Sequence, residues 1–265
     1  MRSYARLRKL HLYADPSSKT LNPEEIAEYL REKLPALEVD VRQEFFTYHA
    51  ADFEHVAPLL AAARIRNPLK RLDNRQPLYG EVEYEKSLLK NPSKRPLGIL
   101  YDGFMIQAIC HSLLKREENN LSEAHIIFTG RLLATYGEDR YHIRVIICGY
   151  PSLISTTGIV EGPAKPREFY IATTHTAAQL TPLIWEEMKQ QMRGRFIEYD
   201  DERLTEVMKG YVLQAVFYQA LGEAFCDNKH CRLYNSHWQE EVLEAQLAGH
   251  ELCNKHRKML ELLQV

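Results

Sequence analysis

Three cysteines and a histidine near the C-terminus are spaced like the ligands of a metal site. Four residues separate Cys226 from Cys231, two separate Cys253 from His256, and 21 lie between the pairs. Two close ligand pairs joined by a spacer are what a tetrahedral zinc site needs, because each pair forms a knuckle and the spacer returns the second to the first. Thiolate and imidazole donors favour zinc over hard, oxygen-seeking cations. With Cys226, Cys231, Cys253 and His256 as ligands no position is left for water, so the expected metal is one structural zinc per chain. His230, next to Cys231, and His250 are rival fourth ligands. The other two of the five cysteines, Cys110 and Cys148, lie in the apolar runs IQAICHSLL and RVIICGYP, where cysteine serves as a small buried hydrophobe. Clustered thiols without a disulfide framework point to a reducing compartment, and a cytoplasmic location is expected.

A second chemically dense stretch is CGYPSLISTTGIVEGPAKPREFYIATTH, residues 148–175. Ser155, Thr156, Thr157, Glu161, Lys165, Arg167 and Tyr170 could together hold an anion or a small molecule, with Gly158 and Gly162 letting a ligand approach the backbone. The competing reading is a polar loop whose side chains satisfy its own turns. No G-x-S-x-G nucleophile elbow or phosphate-loop signature is present. Neither H-E-x-x-H nor H-x-H occurs, so no catalytic metal and no catalytic residue is assigned.

These residues must be positioned by a chain of 265 residues, 45% hydrophobic and 26% charged, a composition ordinary for a globular protein. With 34 basic against 36 acidic side chains, net charge gives no argument for nucleic acid. No run of about 18 apolar residues could span a membrane. The basic MRSYARLRKL leads into LHLYA, which reads as a strand rather than a secretory signal.

Along the chain, a strand at 10–14, a helix started by Asn22 and Pro23, and a strand VDVRQEFF (39–46) form a β-α-β opening. FEHVAPLLAAARI (53–65) reads as a helix interrupted or started at Pro58. Residues 66–97, rich in proline and charge, read as a surface excursion with at most a hairpin or a short helix. A strand turns into a helix at Asp102-Gly103, and AHIIFTGRLL, YHIRVIICGY and EFYIATT are strand candidates. Helices follow: TAAQLTPLIWEEMKQQM, DERLTEVMKGYVLQAVFYQALGEAF, WQEEVLEAQLAG and NKHRKMLELLQV. The second of these is apolar on every side, so burial all round is expected. Strands first and helices last give one α/β domain whose C-terminal third is helical.

The C-terminal run resembles the archaemetzincins, a family of zinc metallopeptidases. Their catalytic helix, H-E-x-x-H-x-x-G-x-x-H, is followed at once by a cysteine that opens a C-x4-C … C-x-x-C second zinc site. Cys226, Cys231 and Cys253 match three of those cysteines, His256 takes the fourth position, and Gly222 matches the helix glycine. The resemblance is specific over about 50 residues. It implies a metzincin-like single α/β domain over 1–265, a mixed sheet with flanking helices, and a zinc-knuckle subregion at 226–256. In the same alignment the three catalytic histidines fall on Ala215, Gln219 and Phe225, the catalytic glutamate on Val216, and the methionine beneath the metal near Leu233. Losing these ligands together with the base removes both the metal and its activated water. The resemblance therefore implies a non-catalytic descendant, with Ala215, Val216 and Phe225 as buried packing residues, that binds a peptide or protein partner in the old cleft. Two alternatives are a hydrolase with a rebuilt site around 152–170 and an anion or small-molecule binder using that segment.

Overall fold

β1 (Lys9–Tyr13), α1 (Pro23–Lys33) and β2 (Glu38–Arg42) form the expected β-α-β opening in this computed structural model, which describes residues 7–263 apart from 51, 74, 171–189, 191 and 250. The Asn22 side chain caps α1 by accepting the Glu25 N–H, and Pro23 occupies the first turn, where no N–H is needed. β2 stops at Arg42, earlier than expected. Glu44 accepts the Thr47 N–H at 2.8 Å and starts α2 (Phe45–His49), which buries Phe45 and Phe46 on a helix instead of a strand. α3 (Phe53–Ala62) is capped by Asp52 and runs through Pro58, so the proline neither starts nor interrupts it.

After β3 (Arg64–Ile65), the charged excursion contains a helix of three turns, α4 (Tyr79–Lys90). Its Glu85 is fully buried between Arg64, Arg131 and the Tyr101 hydroxyl, an ion-paired anchor that composition alone conceals. β4 (Leu100–Asp102) leads into α5 (Gly103–Leu113), with Asp102 accepting the Met105 N–H.

Two apolar runs read as single strands each divide between sheets. AHIIFTGRLL forms β5 (Glu123–Thr129) and β6 (Leu132–Tyr136), and YHIRVIICGY forms β7 (Tyr141–Arg144) and β8 (Ile146–Ile147). With β9 (Ser152–Ser155), the described strands make two mixed sheets, ordered β2-β1-β5-β9-β8 and β3-β4-β6-β7. Neighbours β2, β1, β5 and β9 are parallel, and β8 is antiparallel to β9. The first break falls at Gly130, where a Cβ would lie 2.3 Å from Ser17 Oγ.

Further helices among the described residues include α6 (Gly158–Glu161), α7 (Leu204–Leu221), α8 (Gln239–Leu247) and α9 (Asn254–Leu263). Parallel strands need apolar cover on both faces. Leu10, Leu12, Ile126 and Ile154 pack on one face into a core with α1, α7 and the C-terminal segment. Tyr13, Ile127 and Leu153 pack on the other with α2, α3, α5 and the second sheet. Residues 210–217 of α7 are buried on every side, whereas Tyr218 is exposed, and the helix ends where Gly222 adopts φ 75°. Of EFYIATT, residues 168–170 are helical instead of extended, and the rest lies outside the described residues, as does nearly all of TAAQLTPLIWEEMKQQM. No helix among the described residues is long and apolar enough to cross a membrane.

Candidate metal centre

α7 delivers the chain to the first knuckle. Beyond Gly222, Cys226 donates its N–H to Leu233 O at 2.8 Å, and Asn235 returns an N–H to Cys226 O at 3.2 Å. The intervening turn is held by Cys231 N–H to Asn228 O, 3.0 Å, and by Asn228 N–H to Cys226 Sγ, 3.4 Å. The second knuckle is the start of α9, which puts Cys253 just before the first turn and His256 on the third helical residue. The Cys253 N–H donates to Cys231 Sγ at 3.5 Å, locking one pair onto the other.

The four donor atoms lie within 4.8 Å of one another. Cys226 Sγ and Cys253 Sγ are 3.9 Å apart, and His256 Nδ1 is 3.6 Å from Cys231 Sγ and 3.2 Å from Cys253 Sγ. Zn–S bonds of about 2.3 Å and Zn–N bonds of about 2.0–2.1 Å at a tetrahedral angle give edges of roughly 3.8 and 3.6 Å. The site therefore fits one zinc ion, held by Cys226, Cys231, Cys253 and His256. Bound there, zinc would cross-link the two knuckles. Cys231 and His256 are buried, and the imidazole packs edge-on against Phe217 of α7, so the centre is continuous with the main core.

Electrostatics prepare the donors unequally. Burial pushes the Cys231 thiol up to about 12, so without metal it holds its proton. Burial also raises Cys253, but the His256 N–H, the other two thiols and the Lys255 N–H donate to its sulfur and bring it below its ordinary value. Burial, then Lys255, lowers His256, which leaves the imidazole neutral and able to ligate near pH 7. Metal binding must release thiol protons. Of the rival ligands, His230 is exposed with its Nδ1 3.4 Å from Glu244, outside the cluster, and His250 lies outside the described residues.

The residues that the archaemetzincin alignment sets at its catalytic positions differ in their surroundings. Ala215 and Val216 are 1% exposed, and Leu233 is fully buried. Phe225, expected to be packed away, is 46% exposed: it follows the end of α7, where the chain has turned out of the core. Gln219 is half-buried.

Of the seven residues of the 155–170 segment, three face inward, and Glu161 and Lys165 line a cleft of about 670 Å³ with Phe169 and Tyr199. Ser155, Thr156 and Thr157 are buried and donate at 2.6 Å to Arg131 O, Asp15 Oδ2 and Gly130 O. They fix the ends of β5 and β9, the role of a satisfied turn. Glu161 accepts the Tyr199 hydroxyl at 3.0 Å, the Lys165 ammonium lies 4.7 Å from the Phe169 ring centre, and Arg167 and Tyr170 are exposed.

A buried polar cluster went unread in the sequence because its histidines are far apart there. Parallel pairing of β1 with β2 and β5 places His11 between Asp40 and Glu123, and Tyr13 between His49 and His125. Arg42 grips Glu118 through two 2.8 Å bonds.

Residues 6–263 match the "Probable metallopeptidase family (DUF6775)", and the chain belongs to that family. Among solved structures, a zinc-dependent peptidase from Methanocorpusculum labreanum (strain Z) is similar to 95% of this chain and 99% of that one, at 14% identity and a TM-score of 0.48. The search of curated proteins gives no match.

Proposed function

We propose that this chain is a zinc-stabilised, non-hydrolytic member of its metallopeptidase family that binds a peptide or protein segment in the cleft beside α7. The carrying observation is the division of labour along one stretch of chain. The closed Cys226, Cys231, Cys253 and His256 set supplies every ligand of a structural ion, while the positions aligned with archaemetzincin zinc ligands hold Ala215, Gln219 and Phe225. Alanine and phenylalanine offer no donor for zinc, and Val216, aligned with the catalytic glutamate, cannot move a proton. A divergent archaemetzincin-like branch accounts for both features. Reduced thiols at the metal centre suit a cytoplasmic location.

The test is a cleavage assay on pure, zinc-replete protein with a generic peptide library. Intact peptides at every zinc concentration are expected. Chelator-sensitive cleavage would overturn the reading and favour a hydrolase with a rebuilt site.

A further inference from the structure

Two stretches of chain ahead of α7 wall the cleft of about 670 Å³ that Glu161 and Lys165 border. One is α6 with the residues that follow it, and the other is residues 192–199. The fully buried Gln239 of α8 ties both to the core: its Nε2 donates to Ile159 O at 2.6 Å, and its Oε1 accepts the Ile197 N–H at 3.0 Å. Arg203 braces the second wall by donating to Gly194 O at 2.7 Å and to Phe196 O at 2.8 Å. The cleft is therefore preformed, and its volume suits a small organic molecule. It shares no lining residue with the cleft beside α7.

The lining divides by chemistry. Phe169, Phe196 and Tyr199, none of them buried, present aromatic surface to the cleft. The acids are already engaged: Glu161 accepts the Tyr199 hydroxyl at 3.0 Å, and Glu198 is one of the carboxylates that raise Arg203. The cations are less well met, because neither Lys165 nor Arg193 has an ion pair among the described residues. The Lys165 ammonium lies instead 4.7 and 5.3 Å from the ring centres of Phe169 and Phe196. Ring faces attract an ammonium but do not accept the strong hydrogen bonds that its three N–H groups can donate. A carboxylate would take such bonds and pair with Arg193 as well. A bare anion would leave the aromatic surface uncovered, so the fitting ligand also carries an apolar body.

We propose that this cleft binds a small amphipathic carboxylate, with Lys165 and Arg193 holding the carboxylate and Phe169 and Phe196 bedding the apolar body. The site is separate from the peptide-binding reading above and goes beyond it.

Calorimetry on the full-length, zinc-loaded protein tests this with naphthylacetate, naphthylethanol, naphthylethylamine and acetate, which separate charge from apolar body. Naphthylacetate is expected to bind one equivalent, the alcohol and the amine at least roughly tenfold more weakly, and acetate not measurably. Lys165→Gln and Arg193→Gln should each lower the affinity for naphthylacetate toward that for the alcohol. Affinity for the alcohol, zinc content and melting temperature should stay unchanged. Absence of naphthylacetate binding would overturn the inference. So would equal affinity for the three naphthyl compounds, or wild-type affinity for naphthylacetate in both variants. Each of these results leaves the proposed function standing, because no residue lining the cleft beside α7 takes part. If neither variant folds, the charge series on wild type decides.

Discussion

Replacing Cys231 by serine removes the most buried ligand of the centre, a fully buried thiol 3.6 Å from His256 Nδ1 that also accepts the Cys253 N–H. A serine hydroxyl is shorter than the thiol and is a harder donor, poorly matched to zinc. Loss of an outer-shell partner already weakens metal sites by about 10–100-fold. Loss of a ligand should cost at least the upper end of that range, about 2.7 kcal/mol of metal-linked stability. In a chain of this size 1 kcal/mol moves the melting temperature by about 2–4 °C, so a fall of about 5–11 °C is expected. Zinc is counted after dialysis against a weak chelator, and melting is followed with zinc and with strong chelator. Because stabilisation acts through bound metal, the gap between the proteins should nearly close once wild type is stripped. A variant that keeps one zinc per chain and melts within about 2 °C of wild type would refute the ligand assignment.

Burial holds His125 down at about 4, below the unfolded value of 6.5, and does the same to His49. The unfolded chain therefore binds more protons between these values, and stability falls as pH drops from about 6.5 toward 4, by at most about 3 kcal/mol for His125. His11 shifts the other way: burial opposes protonation, but Asp40 and Glu123 outweigh it, so its contribution is full below 6.5 and is lost as pH rises. Melts of His125→Asn between pH 7 and 4.5 should show a shallower slope than wild type, and an unchanged slope contradicts the assignment. Glu85→Ala leaves Arg131 buried without its carboxylate and should cost about 3–5 kcal/mol in denaturant midpoints; a loss under about 1 kcal/mol would show the pair to be dispensable. In Gly210→Ala, the new Cβ would lie 1.9 Å from Gln246 Oε1, where α8 crosses α7. Overpacking of about 1–3 kcal/mol should then exceed the roughly 1 kcal/mol helix-propensity gain, and a stabilised variant would contradict this contact.

Features that act within a few residues were legible in the sequence. Asn22 and Pro23 announce α1, the apolar circumference of α7 announces its burial, and the spacing from Cys226 to His256 announces the metal centre. What escaped depends on distant partners. AHIIFTGRLL is mostly apolar because both of its halves are buried, and only the second sheet reveals the break at Gly130. YHIRVIICGY changes sheets at Val145 in the same way. The hydroxyls of Ser155, Thr156 and Thr157 looked available because Asp15, Gly130 and Arg131, which engage them, lie at the ends and beginnings of other elements. Glu85 was hidden in a charged excursion, since nothing local says that one carboxylate will be drawn between Arg64 and Arg131.

X-ray absorption at the zinc edge, combined with a metal count on the purified protein, tests the central claim most directly. The account predicts one zinc per chain bound by three sulfurs at about 2.3 Å and one nitrogen at about 2.0–2.1 Å. A second equivalent of zinc, or a single zinc bound only by nitrogen and oxygen, would contradict it.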